Sequence, residues 1–257
     1  MERVLKDLND AKRLLNLAIY SGQLLIMYGA EIYRAEDTVQ RICDSMENVS
    51  SADAYVLPSG IFVSIEFEGE IVTIFKKVHS SATNLNKIDK INSFSRKFVK
   101  ENISYEKGMN ILKNIENESP MKEWKKNLSA AWAAAFFSLL FGGNIKDFFS
   151  TFIITGIMSF TFNKLCFFNF SFVINNFIGA FVASILAVFA TNFGFSDNSD
   201  MIIISAIMIL VPGVSATNAV RDIMNGDFLS GLMGLTKAIF LALSIALGVG
   251  VVLKFFR

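Results

Sequence analysis

The sequence predicts an α-helical membrane protein, with about five transmembrane helices preceded by a small α+β cytoplasmic domain. Three observations predict this. Charge is divided unevenly: residues 1–127 hold 18 of the 24 Lys and Arg and 18 of the 23 Asp and Glu, which leaves 6 and 5 for residues 128–257. The first half therefore has ordinary soluble composition with a formal charge near zero, and the second has the composition of a bilayer-embedded domain. The second half also breaks into five apolar segments, near 128–143, 148–168, 170–193, 201–220 and 228–253. Within the first half, the apolar period switches from helical to strand-like and back. The expected domains are 1–127 and 128–257. A net charge of +1 gives no reason to expect nucleic acid.

Each element follows from its pattern. The first twenty residues mix acids and bases at helical spacing, without an apolar signal region or a cleavage site, so no secretory signal is read and the first domain is placed in the cytoplasm. A helix runs to about Tyr28, with Leu5, Leu8, Leu15 and Ala18 roughly on one face, and Gly29 breaks it. A second helix, about Ala30–Asn48, buries Ile32, Ala35, Val39, Ile42 and Met46 as one stripe. "AYVLPSGIFVSIEFEGEIVTIFKKV" then reads as strands, with Pro58 and Gly60 ending or bulging the first and "EGE" at 68–70 forming a hairpin turn. Two helices follow, near Leu85–Lys100 and Ser104–Asn117.

The polar face of the second helix is crowded. Glu31, Arg34, Glu36, Asp37 and Arg41 lie there, with Tyr28 and Tyr33 beside them. Arg34 can reach Glu31 and Asp37 at three-residue spacing, and Asp37 can reach Arg41 at four. One reading is a solvated helix face worth a few tenths of a kcal/mol per pair (roughly 0.3–0.5). The other is a docking face or small-molecule site. A paired-carboxylate hydrolase is a third, but the sequence carries no nucleophile–base pair, metal cluster or phosphate-binding glycine loop. Cys43 and Cys166 fall on different halves and indicate neither a disulfide framework nor a zinc site. His79 reads as a surface or loop residue.

In the membrane half, a helix needs about 20 residues to cross a hydrocarbon core of about 30 Å. The third and fifth segments satisfy this. The first is short, with Trp124 and Trp132 fitting an interfacial start; the second carries Asn163 and Lys164 near its end. Lys122, Lys125 and Lys126 favour a cytoplasmic start to the first span, and "GFSDNSD" at 194–200, without a base, is then outside. Five spans put the C-terminus outside with Lys254 and Arg257, against the charge rule.

The fourth segment is interrupted. Ile202–Val211 would rise only about 15 Å as a helix before Pro212 and Gly213. Pro212 removes a backbone hydrogen bond and Gly213 allows a bend. Ser215, Thr217, Asn218, Arg221 and Asp222 follow. A simple kink is one reading. The other is a broken helix of the kind that builds transporter substrate sites. Lys237 either lines a cavity or snorkels to the interface. Asn175 and Asn176 are the remaining buried-polar candidates, for a substrate pathway or for helix–helix hydrogen bonds.

At these residues the chain resembles a known family. "YGAEIYRAEDTVQRI", "LPSGIFVSI", "NLNKIDKINSFSR" and "VPGVSATNAVRDIMNGDFLSGL" are similar, in order, to the N-terminal component of the threonine/serine exporter family. The first and last motifs are the specific ones. The resemblance implies a bacterial inner-membrane exporter, multi-pass, with a cytoplasmic N-terminal domain. With one membrane half in 257 residues the chain resembles the split type, which implies a second small multi-span membrane subunit and a higher oligomer. The implied substrates carry a carboxylate: threonine, serine, or a dicarboxylate such as succinate. No cofactor is implied, and no nucleotide-binding motif is present, so the expected energy source is the proton gradient. Glu31, Tyr33, Arg34, Glu36 and Asp37 fall in the cytoplasmic signature. Pro212, Gly213, Asn218, Arg221, Asp222, Gly226, Asp227 and Gly231 fall in the membrane signature. The expected substrate pathway comprises Pro212, Gly213, Asn218, Arg221, Asp222, Lys237, Asn175 and Asn176, with Arg221 or Lys237 attracting the carboxylate. A membrane-anchored scaffold or regulatory subunit, a channel, and a membrane-anchored hydrolase-like enzyme are the alternatives.

Overall fold

The computed structural model describes residues 4–79, 83–101, 103–167 and 170–256. Arg257 and the side chain of Cys166 lie outside the described residues. The chain forms two compact units. One is built from the residues up to Ser119 together with Val214–Leu235; the other from Pro120–Gly213 together with the residues from Thr236 onward. The expected boundary at 127/128 falls inside a helix, and the first unit takes a segment from the second half of the sequence.

The first unit opens with α1 (Leu8–Met27), whose N-terminus is capped by the Asp7 carboxylate accepting from the Asp10 N–H at 2.7 Å. Leu14, Leu15, Ala18 and Leu25 form its buried face. α1 stops at a glycine turn: Gly29 N–H donates to the Ile26 carbonyl and Ala30 N–H to the Leu25 carbonyl, each at 3.0 Å. Gly29 has φ +83°, the left-handed conformation this Schellman arrangement needs. α2 (Ile32–Cys43) buries Ile32, Ala35, Val39 and Ile42 as the pattern predicts. It is shorter than the expected 30–48. Ala30 and Glu31 are still completing the turn, and Ser45 Oγ bonds to the Ile42 carbonyl at 2.6 Å and helps close the other end.

Three antiparallel strands follow in the order β1 (Val49–Leu57), β2 (Gly60–Phe67) and β3 (Glu70–Lys77). Pro58 and Ser59 close the first hairpin, with Leu57 opposite Gly60. Glu68 and Gly69, at φ 51° and 80°, close the second as a two-residue turn, where "EGE" placed it. Ile61, Val63, Ile65 and Phe67 of β2 point into the core. α3 (Leu85–Lys100) and α4 (Tyr105–Glu116) are capped by Asn84 and Ser104. Leu15, Ile42, Ile61, Ile65, Ile91 and Leu112 meet in one core. His79 is exposed beyond β3.

The second unit contains α5 (Glu123–Leu140), α6 (Ile145–Phe167), α7 (Phe172–Asn192) and α8 (Ser199–Ile207); α9 (Gly213–Met224) then leads to α10 (Phe228–Phe256), most of which belongs here. Among the described residues, α6, α7 and α10 are long and apolar enough to cross a membrane. They coincide with the expected spans at 148–168, 170–193 and 228–253. α5 carries Glu123, Lys125 and Lys126 at its start. α8 has only nine residues. The expected span at 201–220 is two helices: α8 ends at Ile207, five residues before Pro212, and α9 starts a new, polar helix at Gly213. Large apolar side chains such as Ile153, Phe160, Leu243 and Leu247 face outward, as they do on a lipid-facing surface.

Inside this unit, packing relies on small residues. Ala183 and Ala187 of α7 meet Ile154 and Met158 of α6 and Ile202, Ile203 and Ala206 of α8. A Cβ on Gly248 of α10 would lie 2.5 Å from the Phe177 carbonyl of α7, so only glycine permits that approach. Buried Asp147 closes the α6 N-terminus. It accepts from the backbone N–H groups of Asn144 (3.0 Å), Asp197 (3.0 Å) and Asn198 (3.2 Å), so it anchors the 194–200 loop.

Candidate functional site

The two specific motifs of the sequence meet in the first unit, at the turn between α1 and α2. The Gly29 turn delivers Glu31 to the start of α2. A second glycine turn does the same for α9. Gly226, at φ +97°, donates to the Ile223 carbonyl at 3.1 Å, and Asp227 N–H to the Asp222 carbonyl at 2.9 Å. This reverses the chain into α10. Gly231 keeps the two helices close, since a Cβ there would lie 2.7 Å from the Ala219 carbonyl.

Between these turns lies a charged cluster. The Glu31 side chain is only 10% exposed, and two guanidinium groups hold it: Arg221 Nη1 at 2.7 Å from Oε1 and Arg34 Nε at 3.0 Å from Oε2. Both arginine side chains are about half exposed, at 52% and 45%. Arg34 Nε also donates to Tyr33 Oη at 3.2 Å, and its guanidinium lies near the Tyr33 ring. Asp37 pairs with Arg41 instead, on the exposed side of α2.

Asp222 has a different task. Glu31 stands at the N-cap of α2 but makes no side-chain cap bond. The buried Asp222 supplies one from α9, with Oδ1 accepting from Ile32 N–H at 3.0 Å. A carboxylate at a helix N-terminus is favoured by the exposed N–H groups and the helix dipole. Asn218 Nδ2 donates to the Gly29 carbonyl at 3.0 Å and ties α9 to the same turn. Nearby, Glu36 Oε1 accepts from Val56 N–H at 3.0 Å, and Ser230 Oγ reaches the Val56 carbonyl at 3.5 Å.

The cluster is rich in carboxylates, and burial sets their titration. Burial pushes Asp222 up to about 6, with Asp227 and Glu31 adding repulsion and the backbone N–H bonds opposing. Burial also raises Glu36, against the Val56 hydrogen bond, and raises Asp227. Burial therefore favours the protonated form of Asp222.

The remaining expected residues lie elsewhere. Pro212 and Gly213 stand at the interruption between α8 and α9. Lys237 is exposed on α10, with Nζ 5.8 Å from the centre of the Phe172 ring. Asn175 and Asn176 are buried in the first turn of α7. Asn176 Nδ2 donates to the Phe172 carbonyl at 2.7 Å and Asn175 Nδ2 to the Phe170 carbonyl at 3.4 Å, both local bonds. Ser230 and Asp147 were not singled out from the sequence, and Asp227 entered only as part of the membrane signature. The carboxylates of Asp227 and Asp147, rare in an apolar half, were the available signal.

Long apolar helices with outward-facing aliphatic and aromatic side chains, joined to an α+β unit, define an integral membrane protein. The chain matches the ThrE family, described as "Putative threonine/serine exporter", over residues 16–256, and it belongs to that family of exporters. A relative, "Probable succinate transporter subunit YjjP" of Klebsiella aerogenes, is 24% identical over 251 residues, covering 95% of this chain and 94% of that protein. No solved structure matches the chain. Family membership points toward a transporter.

Proposed function

We propose that this chain is one subunit of a bacterial inner-membrane exporter for small carboxylate-bearing metabolites, a dicarboxylate such as succinate or the amino acids threonine and serine. It works with a second small multi-span subunit of the same family, in a higher oligomer, with its first domain in the cytoplasm. Five passes are made, with α5 and α8 joining α6, α7 and α10. The observation that carries the substrate class is Glu31 held between Arg34 and Arg221. That geometry already recognises a carboxylate, and the half-exposed face of Arg221 leaves room for another. The relative's name, a succinate transporter subunit, supports the same class.

In this reading a substrate carboxylate competes with Glu31 for Arg221, while Arg34 retains Glu31. Asp222 takes up or releases the coupling proton, supported by its titration near pH 6. Alternating access occurs at the interrupted fourth segment, around Pro212 and Gly213. Lys237, Asn175 and Asn176 line the later part of the path.

The test is efflux from cells loaded with succinate, or with dipeptides of threonine and serine, expressing this chain with and without the second subunit. Release only with both chains supports a two-component exporter and identifies the substrate class. Arg221→Ala should lower release at least tenfold; a folded variant that exports at the full rate refutes the role of Arg221.

A second reading has its own observation. Arg221, Asp222 and Asn218 all bind the α1–α2 turn, which also suits a structural latch in a scaffold subunit. The exchanged pair Glu31→Arg with Arg221→Glu separates the two. Restored efflux favours the latch; restored folding without efflux favours carboxylate recognition.

A further inference from the structure

The two edges of the sheet in the first unit are finished differently. At β1, the backbone N–H and carbonyl of Val56 are taken by Glu36 and Ser230, and the β1–β2 register shifts between Val49 and Ser51. Such bulges and side-chain covers block further strand pairing. β3 has no such protection. It pairs with β2 in unbroken register from Glu70 to Lys77 and contains no proline. Among the described residues, no side chain hydrogen-bonds to the backbone of residues 70–76; the nearest, Gln23, reaches the Lys77 carbonyl. The outer face is apolar as well: Tyr55, Phe62 and Phe75 stand in one cross-strand row, and Ile71 is 74% exposed. Phe62 and Phe75 stack with ring centres 4.5 Å apart.

We propose that the β3 edge pairs with the β3 edge of a second copy of this chain, antiparallel, about a two-fold axis at Thr73. The strand is complementary to itself in that register. Directly opposed residues share a face, which requires Thr73 opposite Thr73, Ile71 opposite Phe75, Val72 opposite Ile74, and Glu70 opposite Lys76. Each opposing apolar residue meets an apolar partner and each charge meets its opposite, twice per dimer. Moving the axis one residue either way places Glu70 opposite Ile74, or Lys76 opposite Val72. The product is one six-stranded sheet whose aromatic rows continue across the join. A lipid surface fits less well, because Asp53, Glu66, Glu68 and Glu70 border this sheet and anionic headgroups repel them.

The test is cross-linking in membranes of cells expressing the full chain. Opposed Cα atoms in an antiparallel pair are about 4.5–5.5 Å apart, within disulfide reach. Thr73→Cys should give a covalent dimer as the main species under mild oxidation. Ile71→Cys alone should not, since its copy lies four residues along the strand, about 13 Å away. Differently tagged Ile71→Cys and Phe75→Cys chains should cross-link only to each other. The parent chain is the control; its Cys43 is buried, with a thiol pushed up to about 12 by that burial. Lys76→Glu should cut the Thr73→Cys dimer severalfold, and Glu70→Lys with Lys76→Glu should restore it. Cross-linking at Ile71 as ready as at Thr73, or none at Thr73, overturns the pairing. So does a polarity-sensitive dye at Phe75→Cys that responds to added lipid while Thr73→Cys stays monomeric. None of these readouts requires transport, so they stand apart from the substrate assignment.

Discussion

Replacing Asp222 should loosen the start of α2, although Asp222 lies 190 residues away in sequence. Its Oδ1 is 3.0 Å from Ile32 N–H, and Ile32 is itself buried. Asp222→Ala removes a helix cap, worth about 1 kcal/mol, and its favourable interaction with the helix dipole, worth about 0.5 kcal/mol. Water cannot readily replace the lost acceptor at a buried amide. The expected loss, about 1.5 kcal/mol, corresponds to roughly a tenfold change in local opening. Asp222→Asn keeps an acceptor oxygen and removes a buried charge, so it should be close to neutral. Hydrogen exchange read at the first turn of α2 in the purified full chain measures this directly. Protection should fall about tenfold in the Ala variant and stay near the parent's in the Asn variant. An Ala variant with parental protection at Ile32 would refute the cap.

Other outcomes follow from the same geometry. Asp222 is raised above its unfolded value, so its protonated form favours the fold; that contribution is complete below about pH 4 and is lost as pH rises through about 6. Thermal unfolding should therefore show the first unit losing stability as pH rises from about 4 to about 6, and Asp222→Asn should reduce that slope without abolishing it, because Glu36 and Asp227 shift the same way. Gly231→Ala should cost about 1–3 kcal/mol by overpacking, because the new Cβ meets the α9 backbone; an unchanged melting temperature would contradict the close approach. Asp147→Ala strips three backbone N–H groups of their acceptor and should cost about 3 kcal/mol, with the 194–200 loop becoming sensitive to protease.

Periodicity and punctuation made most of the first unit legible. α3 begins and ends at the expected Leu85 and Lys100, and "EGE" marks a true turn because Glu68 and Gly69 take positive φ. The apolar lengths of α6, α7 and α10 were equally plain. What sequence could not supply was long-range assignment. Arg221 and Asp222 read as the tail of an interrupted span, since their neighbours at 202–211 are apolar. Beyond Pro212 the chain becomes polar and starts an independent helix, and its partners are Glu31 and Ile32. No local pattern encodes a contact across 190 residues. The same limit hid the capping of α2, because the residue at its own N-cap, Glu31, points its carboxylate at two arginines.

That discontinuity has a consequence for biosynthesis. The first unit ends at Ser119 and resumes at Val214. At about 5–20 residues per second, a ribosome takes roughly 5–20 s to make the stretch between. During that interval Ile32 has no Asp222 and Glu31 has only Arg34. The nascent domain is thus kept incomplete until α5–α8 have been synthesised, and it is complete before most of α10 has been made. A chain stalled before residue 214 leaves the Ile32 N–H at the start of α2 without its carboxylate acceptor.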